Sequence, residues 1–191
     1  MAEDTVSRRS VLLIGGSAGS LEVIMVILQS LISRHWAIIV VLHRKWAAES
    51  SLVEVLAARS NYRVKEAEEK EIIEPATIYI APADYHLLIE KDRTLSLDDS
   101  EKVNFSRPSI DVTFESAAEV FGSQAVAIIL SGGSADGAGG LRKIKEAGGL
   151  AIVQEPSSAD VDFMPRQVLA TMEVDAQLHA RDIGPYLNQL K

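Results

Sequence analysis

Three short stretches of the chain carry side chains able to make and break an acyl bond. Gly15-Gly16-Ser17-Ala18-Gly19 spells Gly-x-Ser-x-Gly, His43 closes an apolar run, and Ser134-Ala135-Asp136-Gly137 follows another such run. A hydroxyl, an imidazole and a carboxylate are what a Ser-His-Asp triad needs: a nucleophile, its base, and an acid that orients the base. In Gly-x-Ser-x-Gly the serine sits on a tight strand-to-helix turn whose glycines relieve crowding. The first N–H groups of the following helix then face the serine and can hold a developing oxyanion. Each fragment also has a plainer reading. The glycine turn would suit a phosphate at a helix N-terminus, although it fits neither Gly-x-Gly-x-x-Gly nor a Gly-Lys-Ser phosphate loop. His43 taken alone is more often a structural histidine at a strand end than a base, and Asp136 is equally the N-cap of its helix. His35 reads as solvent-exposed, and His86 and His179 read as structural. No histidine pair has metal-ligand spacing, so no metal site is expected.

What would bring the three stretches together is an α/β sheet. Residues 11–14 form a short apolar run that stops at a glycine pair, 21–31 read as a helix, and 36–42 read as a second buried strand ending at His43. A helix is expected over 50–58, with Ser51 as N-cap and Glu54 three residues on, and 62–64 open a third strand. Residues 77–81, 86–90 and 94–97 alternate polar and apolar, which predicts an antiparallel excursion of hairpins. A helix over 109–120, a strand over 125–130, a helix over 137–147 and a strand over 150–154 follow. Further on come a helix over 164–172, a strand over 174–178 and a last helix over 183–190, broken early by Pro185. Val- and Ile-rich strands alternating with helices predict one doubly wound, mostly parallel sheet with helices on both faces, spanning 1–191 as a single domain. In such sheets ligands bind beyond the carboxyl ends of the strands, where Ser17, His43 and Asp136 fall.

Composition narrows the function. The 191 residues are 47% hydrophobic and 24% charged, with a formal net charge of −8 and no cysteine. The acidic balance argues against sequence-independent nucleic-acid binding and against adhesion to anionic membranes. Without cysteine there can be no disulfide, thiolate metal site or thiol nucleophile. The apolar run after Arg8 and Arg9 is too short for a signal peptide or a membrane span, so the expected location is the cytoplasm. Glu66, Glu68, Glu69, Glu71 and Glu74 form an acidic run expected on a solvated face.

From about residue 11 to about residue 172 the sequence resembles the methylesterase domain of CheB-type chemotaxis proteins. The resemblance is carried by Ile14 to Gly19, Leu42-His43, Glu66-Ala67-Glu68, Ile78-Tyr79-Ile80-Ala81-Pro82-Ala83-Asp84-Tyr85-His86 and Ser106-Arg107-Pro108-Ser109-Ile110-Asp111-Val112. It closes with Ile129-Leu130-Ser131-Gly132, then Asp136-Gly137 and Met164-Pro165. The resemblance implies a Ser17 nucleophile, a His43 base and an Asp136 carboxylate, with no cofactor. It also implies a monomer acting on glutamyl methyl esters, and on some glutamines, of chemoreceptor cytoplasmic helices. Ala18 stands where many members have Thr, and Gly133 stands where many have the Met of the oxyanion site, whose backbone N–H that of Gly133 would replace. A member that binds its partner without turnover is the competing expectation. Most members carry an upstream receiver domain regulated by phosphorylation. Here the first strand starts within about a dozen residues of Met1, so no receiver and no phosphodonor response are expected. Arg44, Lys45 and Trp46, after the base, are expected to meet acidic receptor helices.

Overall fold

Runs of β-branched residues build the centre of the molecule. The computed structural model describes residues 9–43 and 52–190. In chain order its elements are β1 (Val11–Gly16), α1 (Ser20–Ser30), β2 (Ala37–Leu42), α2 (Leu52–Ala57), β3 (Arg63–Glu66), β4 (Thr77–Ile80), β5 (His86–Ile89), β6 (Leu95–Asp98), α3 (Ile110–Phe121), β7 (Ala125–Ile129), α4 (Ala138–Glu146), β8 (Leu150–Gln154), α5 (Phe163–Thr171), β9 (Ala176–Leu178) and α6 (Ala180–Leu187). Seven strands form a parallel sheet in the order β3-β4-β2-β1-β7-β8-β9, and β5 pairs with β6 as a separate antiparallel hairpin. Every residue of β1 and β2 is buried, as expected of parallel strands covered on both faces. Successive side chains point to opposite faces. Val11 and Leu13 therefore join Phe114, Leu141 and Met164 of α3, α4 and α5 in one apolar layer. Leu12 and Ile14 join Ile24, Leu56 and Ile183 of α1, α2 and α6 in the other. The doubly wound architecture is the one expected from the sequence.

The direction of winding reverses between β1 and β7, and the diverging connections leave a crevice beyond the strand ends, the usual ligand position in such sheets. Gly16 is in register with Leu42, and Gly15 with Ile129. His43, Ser17 and the segment after β7 therefore leave the sheet side by side.

Several expectations are corrected. Residues 77–80 do not belong to the hairpin excursion; β4 lies in the main sheet, parallel to β2 and β3. All four of its residues are buried, and Tyr79 tolerates this because its hydroxyl donates to the Ile72 carbonyl (3.1 Å) and accepts the Glu74 N–H (2.9 Å). The last helix is not broken by Pro185: α6 starts earlier, behind His179 as its N-cap, and runs through the proline. Its buried Ile183 and Leu187 pack into the apolar layer containing α1. A Cβ at Gly184 would come within 1.7 Å of Ser30 Oγ. Asn188 donates to the Ser30 carbonyl (2.7 Å) and accepts the Ile32 N–H (3.0 Å), closing the C-terminal end of α1. His35 is half-buried rather than exposed, its ring centroid 4.5 Å from that of Trp36. Within the acidic run, Glu71 is half-buried and paired with Lys65 at 2.7 Å. Ser50 and Ser51, the expected start of the second helix, lie outside the described residues.

The helices α3 and α4 approach closely because Gly140 has no side chain. A Cβ there would lie 2.6 Å from Phe114 Cβ and 3.0 Å from Asp111 Cα. Asp111 of α3 caps α4, its Oδ1 accepting the N–H groups of Gly137 (3.0 Å) and Gly140 (2.6 Å). Burial, and after it the neighbouring Asp136 charge, pushes the Asp111 carboxyl up to about 6 against the opposing pull of the Gly140 N–H.

Two outcomes are expected. Gly140→Ala gains about 1 kcal/mol of helix propensity but overpacks the crossing by about 1–3 kcal/mol. Thermal melting should therefore show a net loss of about 2–4 °C, and an unchanged or raised midpoint would mean that the crossing opens freely. The second concerns pH. A carboxyl whose folded value exceeds its unfolded value favours the folded state while protonated. That contribution is complete below about pH 4 and is lost as pH rises through about 6. Relative to Asp111→Asn, which cannot titrate, the wild type should lose on the order of 1–2 kcal/mol between about pH 4 and 7, a value reduced because water partly screens the group. Urea unfolding at each pH measures this, and a flat difference between the two proteins would count against it.

Candidate active site

At the end of β1 the chain turns at once. Gly19 takes φ +79° as the N-cap of α1, and the Ser17 carbonyl accepts both the N–H (3.1 Å) and the hydroxyl (2.6 Å) of buried Ser20. The turn is pinned from the side by Ser131. Its carbonyl accepts the Ser17 N–H (2.9 Å), its hydroxyl donates to the Ala18 carbonyl (2.7 Å), and its N–H donates to Gln154 Oε1 (2.9 Å). Space is minimal: a Cβ at Gly132 would lie 2.1 Å from Met164 Sδ and 2.7 Å from Ser17 Cβ. Ser17 itself is half-buried, and Ala18 and Gly133 are exposed. Among the described residues, the backbone N–H groups of Ala18 and Gly133 donate to no other group. They are thus open to an incoming acceptor.

His43 stands one residue beyond β2, beside that turn, and its N–H donates to the Gly16 carbonyl (3.2 Å). Its Nε2 is 2.7 Å from Asp136 Oδ2. Asp136 is buried, and its carboxylate accepts three further hydrogen bonds: from Ser109 Oγ (2.8 Å), the Ile110 N–H (2.6 Å) and the Asp111 N–H (3.0 Å). Burial alone would raise the Asp136 carboxyl, but the bonds from His43, the two backbone N–H groups and Ser109 outweigh it and hold the group below the usual carboxylate range. The carboxylate does not cap its own helix, since α4 takes Gly137 as N-cap at φ +106°. Three of the sequence-derived residues are thus gathered at the crevice. His43 and Asp136 are in contact, and Ser17 is adjacent to His43, with no hydrogen bond between those two among the contacts of the described residues. Arg44, Lys45 and Trp46 lie outside the described residues.

Reading the sequence for chemistry missed Ser109 and the first N–H groups of α3. Ser109 is the N-cap of that helix, accepting the Val112 N–H, while its own hydroxyl serves Asp136. His86 is buried, as its structural reading requires: Nδ1 accepts the Ser109 N–H (3.1 Å) and Nε2 donates to the Glu101 carbonyl (2.9 Å). The signal for Ser109 was its place before an apolar-periodic helix. Its partner, 27 positions away, left no local trace. Among the described residues no cluster of three His, Asp or Glu could hold a metal ion, and no helix is long and apolar enough to cross a membrane.

Comparison with known proteins identifies the family. A protein of Leptospira interrogans is 44% identical over 174 residues, which cover 91% of this chain and 90% of that one. The protein-glutamate methylesterase/protein-glutamine glutaminase of Thermotoga maritima is 35% identical over 94% of this chain, which spans 54% of that protein's length. The crystal structure of the Thermotoga maritima CheB methylesterase catalytic domain superposes with a TM-score of 0.89 at 34% identity, covering 94% of this chain and 97% of that domain. The model of the CheB methylesterase family matches residues 12–187. The chain belongs to the CheB methylesterase family.

Proposed function

We propose that this protein is a protein-glutamate methylesterase. In this reading it is a cytoplasmic serine hydrolase that removes methyl esters from glutamate side chains of chemoreceptor helices and deamidates glutamine at the same positions. The observation that carries it is the Asp136–His43 pair, 2.7 Å apart and beside the Ser17 turn.

The chemistry follows from which nitrogen is engaged. Asp136 is an acceptor only, held ionised by four donors. The proton between it and His43 therefore belongs to Nε2, and Nδ1 keeps the free lone pair. Nδ1 takes the Ser17 proton as Oγ attacks the ester carbonyl. The oxyanion is received by the N–H groups of Ala18 and Gly133, donors of a kind each worth about 3–4 kcal/mol to the transition state. Collapse of the intermediate expels methoxide, which leaves as methanol after taking the proton from Nδ1. Water, deprotonated by Nδ1, then attacks the acyl-serine. The products are free glutamate and regenerated Ser17. With a glutamine substrate the leaving group is ammonia. The catalytic hydrogen bond from Ser17 closes on substrate binding, as is common for bases that look loosely placed in a free enzyme. Ala18 and Gly133 offer backbone donors, so their departure from the family's usual side chains leaves the oxyanion site in place. This favours turnover over a binding-only role.

Ser17→Ala should abolish methanol release from a methylated receptor preparation while moving the melting temperature by no more than about 2 °C, since the change keeps the packed Cβ and removes only a hydroxyl. Full activity in that variant would end the proposal. Asp136→Asn should lower kcat by about four orders of magnitude through the wrong imidazole tautomer. Ser109→Ala, which removes one of the four donors, should lower it by about tenfold. Equal activity of Ser109→Ala and wild type would show that the fourth donor is dispensable.

A further inference from the structure

Large apolar side chains that stay in water are costly, and this protein gathers several at one place. Among the described residues, Tyr85, Val103, Phe105 and Phe163 are all exposed around the carboxyl edge of the sheet. Phe105 is the extreme case, 99% exposed. It sits at the tip of a two-residue turn: Val103 and Ser106 exchange backbone hydrogen bonds (3.2 and 2.9 Å), and Asn104 and Phe105 between them take φ +49° and +63°. Left-handed backbone is comfortable for Gly or Asn and is an outlier for a bulky residue. The turn is nevertheless firmly built. Asn104 Nδ2 donates to Asp111 Oδ2 (3.0 Å), and the Arg107 guanidinium donates to the carbonyls of Asp99 and Ser100 (2.6 and 2.7 Å). Asp111 in turn donates its N–H to Asp136. An aromatic ring is thus held out into water, in a backbone conformation that disfavours it, on a support bonded directly to the acid beside His43. Among the described residues no contact offsets either cost, and strained positions of this kind gather where a partner is gripped.

We propose that Phe105 anchors an α-helix of the protein substrate. An apolar side chain of that helix packs on the ring, while a glutamyl ester on the same helix face reaches Ser17. This rests on the methylesterase reading above. The ring is a convex knob rather than part of a groove, which fits it to the ridged surface of a helix and not to a small ligand. On a helix, residues three, four and seven positions from the ester share its face and are the ones a flanking knob can touch. Phe163, also exposed, precedes Met164, whose N–H donates to the carbonyl of Gly132 (3.0 Å), the residue packed against Ser17. It offers the helix a second support.

The test compares two substrates, a methylated cytoplasmic receptor fragment and p-nitrophenyl acetate, for the full chain and for Phe105→Ala and Phe105→Gly. Both variants should lose about tenfold in kcat/KM on the receptor, carried by KM, as expected for a buried aromatic anchor, with hydrolysis of the small ester unchanged. Melting should be unchanged for Phe105→Ala and unchanged or higher for Phe105→Gly, because glycine is at ease at this φ. Wild-type receptor turnover in both variants overturns the anchor and leaves the methylesterase reading standing. Failure of the wild-type chain on both esters overturns the methylesterase reading and the anchor with it. Loss of a wild-type dimer in sedimentation, with receptor kinetics unchanged, would assign the ring to self-association and likewise overturn the proposal.

Discussion

A buried carboxylate is expensive unless every lone pair has a donor, and Asp136 meets that condition only at one point in space. Its donors come from the end of β2 through His43, from the N-cap of α3 through Ser109, and from the first two N–H groups of α3. The positive end of the α3 dipole adds to the same attraction. The loop after β7 that carries Asp136, the loop after β2 and the start of α3 must therefore meet, and the crevice at the reversal of the sheet is where they do. Asp111 returns the arrangement by capping α4, the helix that follows Asp136. The two acids are close neighbours with opposite fates, Asp136 held ionised and Asp111 pushed toward neutrality. Environments that drive two carboxyls apart in this way assign them different roles. One carries the charge that faces His43, and the other sets the spacing of the helices that hold it.

Much of this was legible in the sequence because Ser17 and His43 each follow a buried strand directly, Asp136 lies in the segment that follows another, and a parallel sheet aligns strand ends. Gly-x-Ser-x-Gly, the apolar run before His43 and the run before Ser131 needed no tertiary information to be placed on one edge. Other features depended on partners distant in the chain. Asp136 sits where a helix N-cap belongs, and only the α3 N-terminus, more than twenty residues upstream, explains why its carboxylate faces away from α4. The role of Ser109 was hidden for the same reason. The alternation of Thr77, Ile78, Tyr79 and Ile80 looked like a strand with one wet face, although the tyrosine hydroxyl finds local carbonyl and N–H partners that allow full burial. Pro185 looked like a stop signal, but the buried Ile183 and Leu187 hold α6 through it.

The surroundings of Ser17 and the tip bearing Phe105 differ in kind. Around Ser17 there is no spare volume, with Gly16, Gly19 and Gly132 each facing an atom within 3 Å of where a Cβ would stand. Such tightness suits a group whose position must be reproducible to a fraction of an ångström. The Phe105 turn is equally well bonded at its base, yet it exposes its side chain completely.

The attachment of α6 to α1 has a consequence for how the molecule is made. The helix behind Ser17 is synthesised long before α6, yet its C-terminal end is closed by Asn188 and its flank by Gly184. Contacts between positions about 160 residues apart cannot form until nearly the whole domain has been synthesised. The packing behind the Ser17 turn is therefore incomplete until α6 is present.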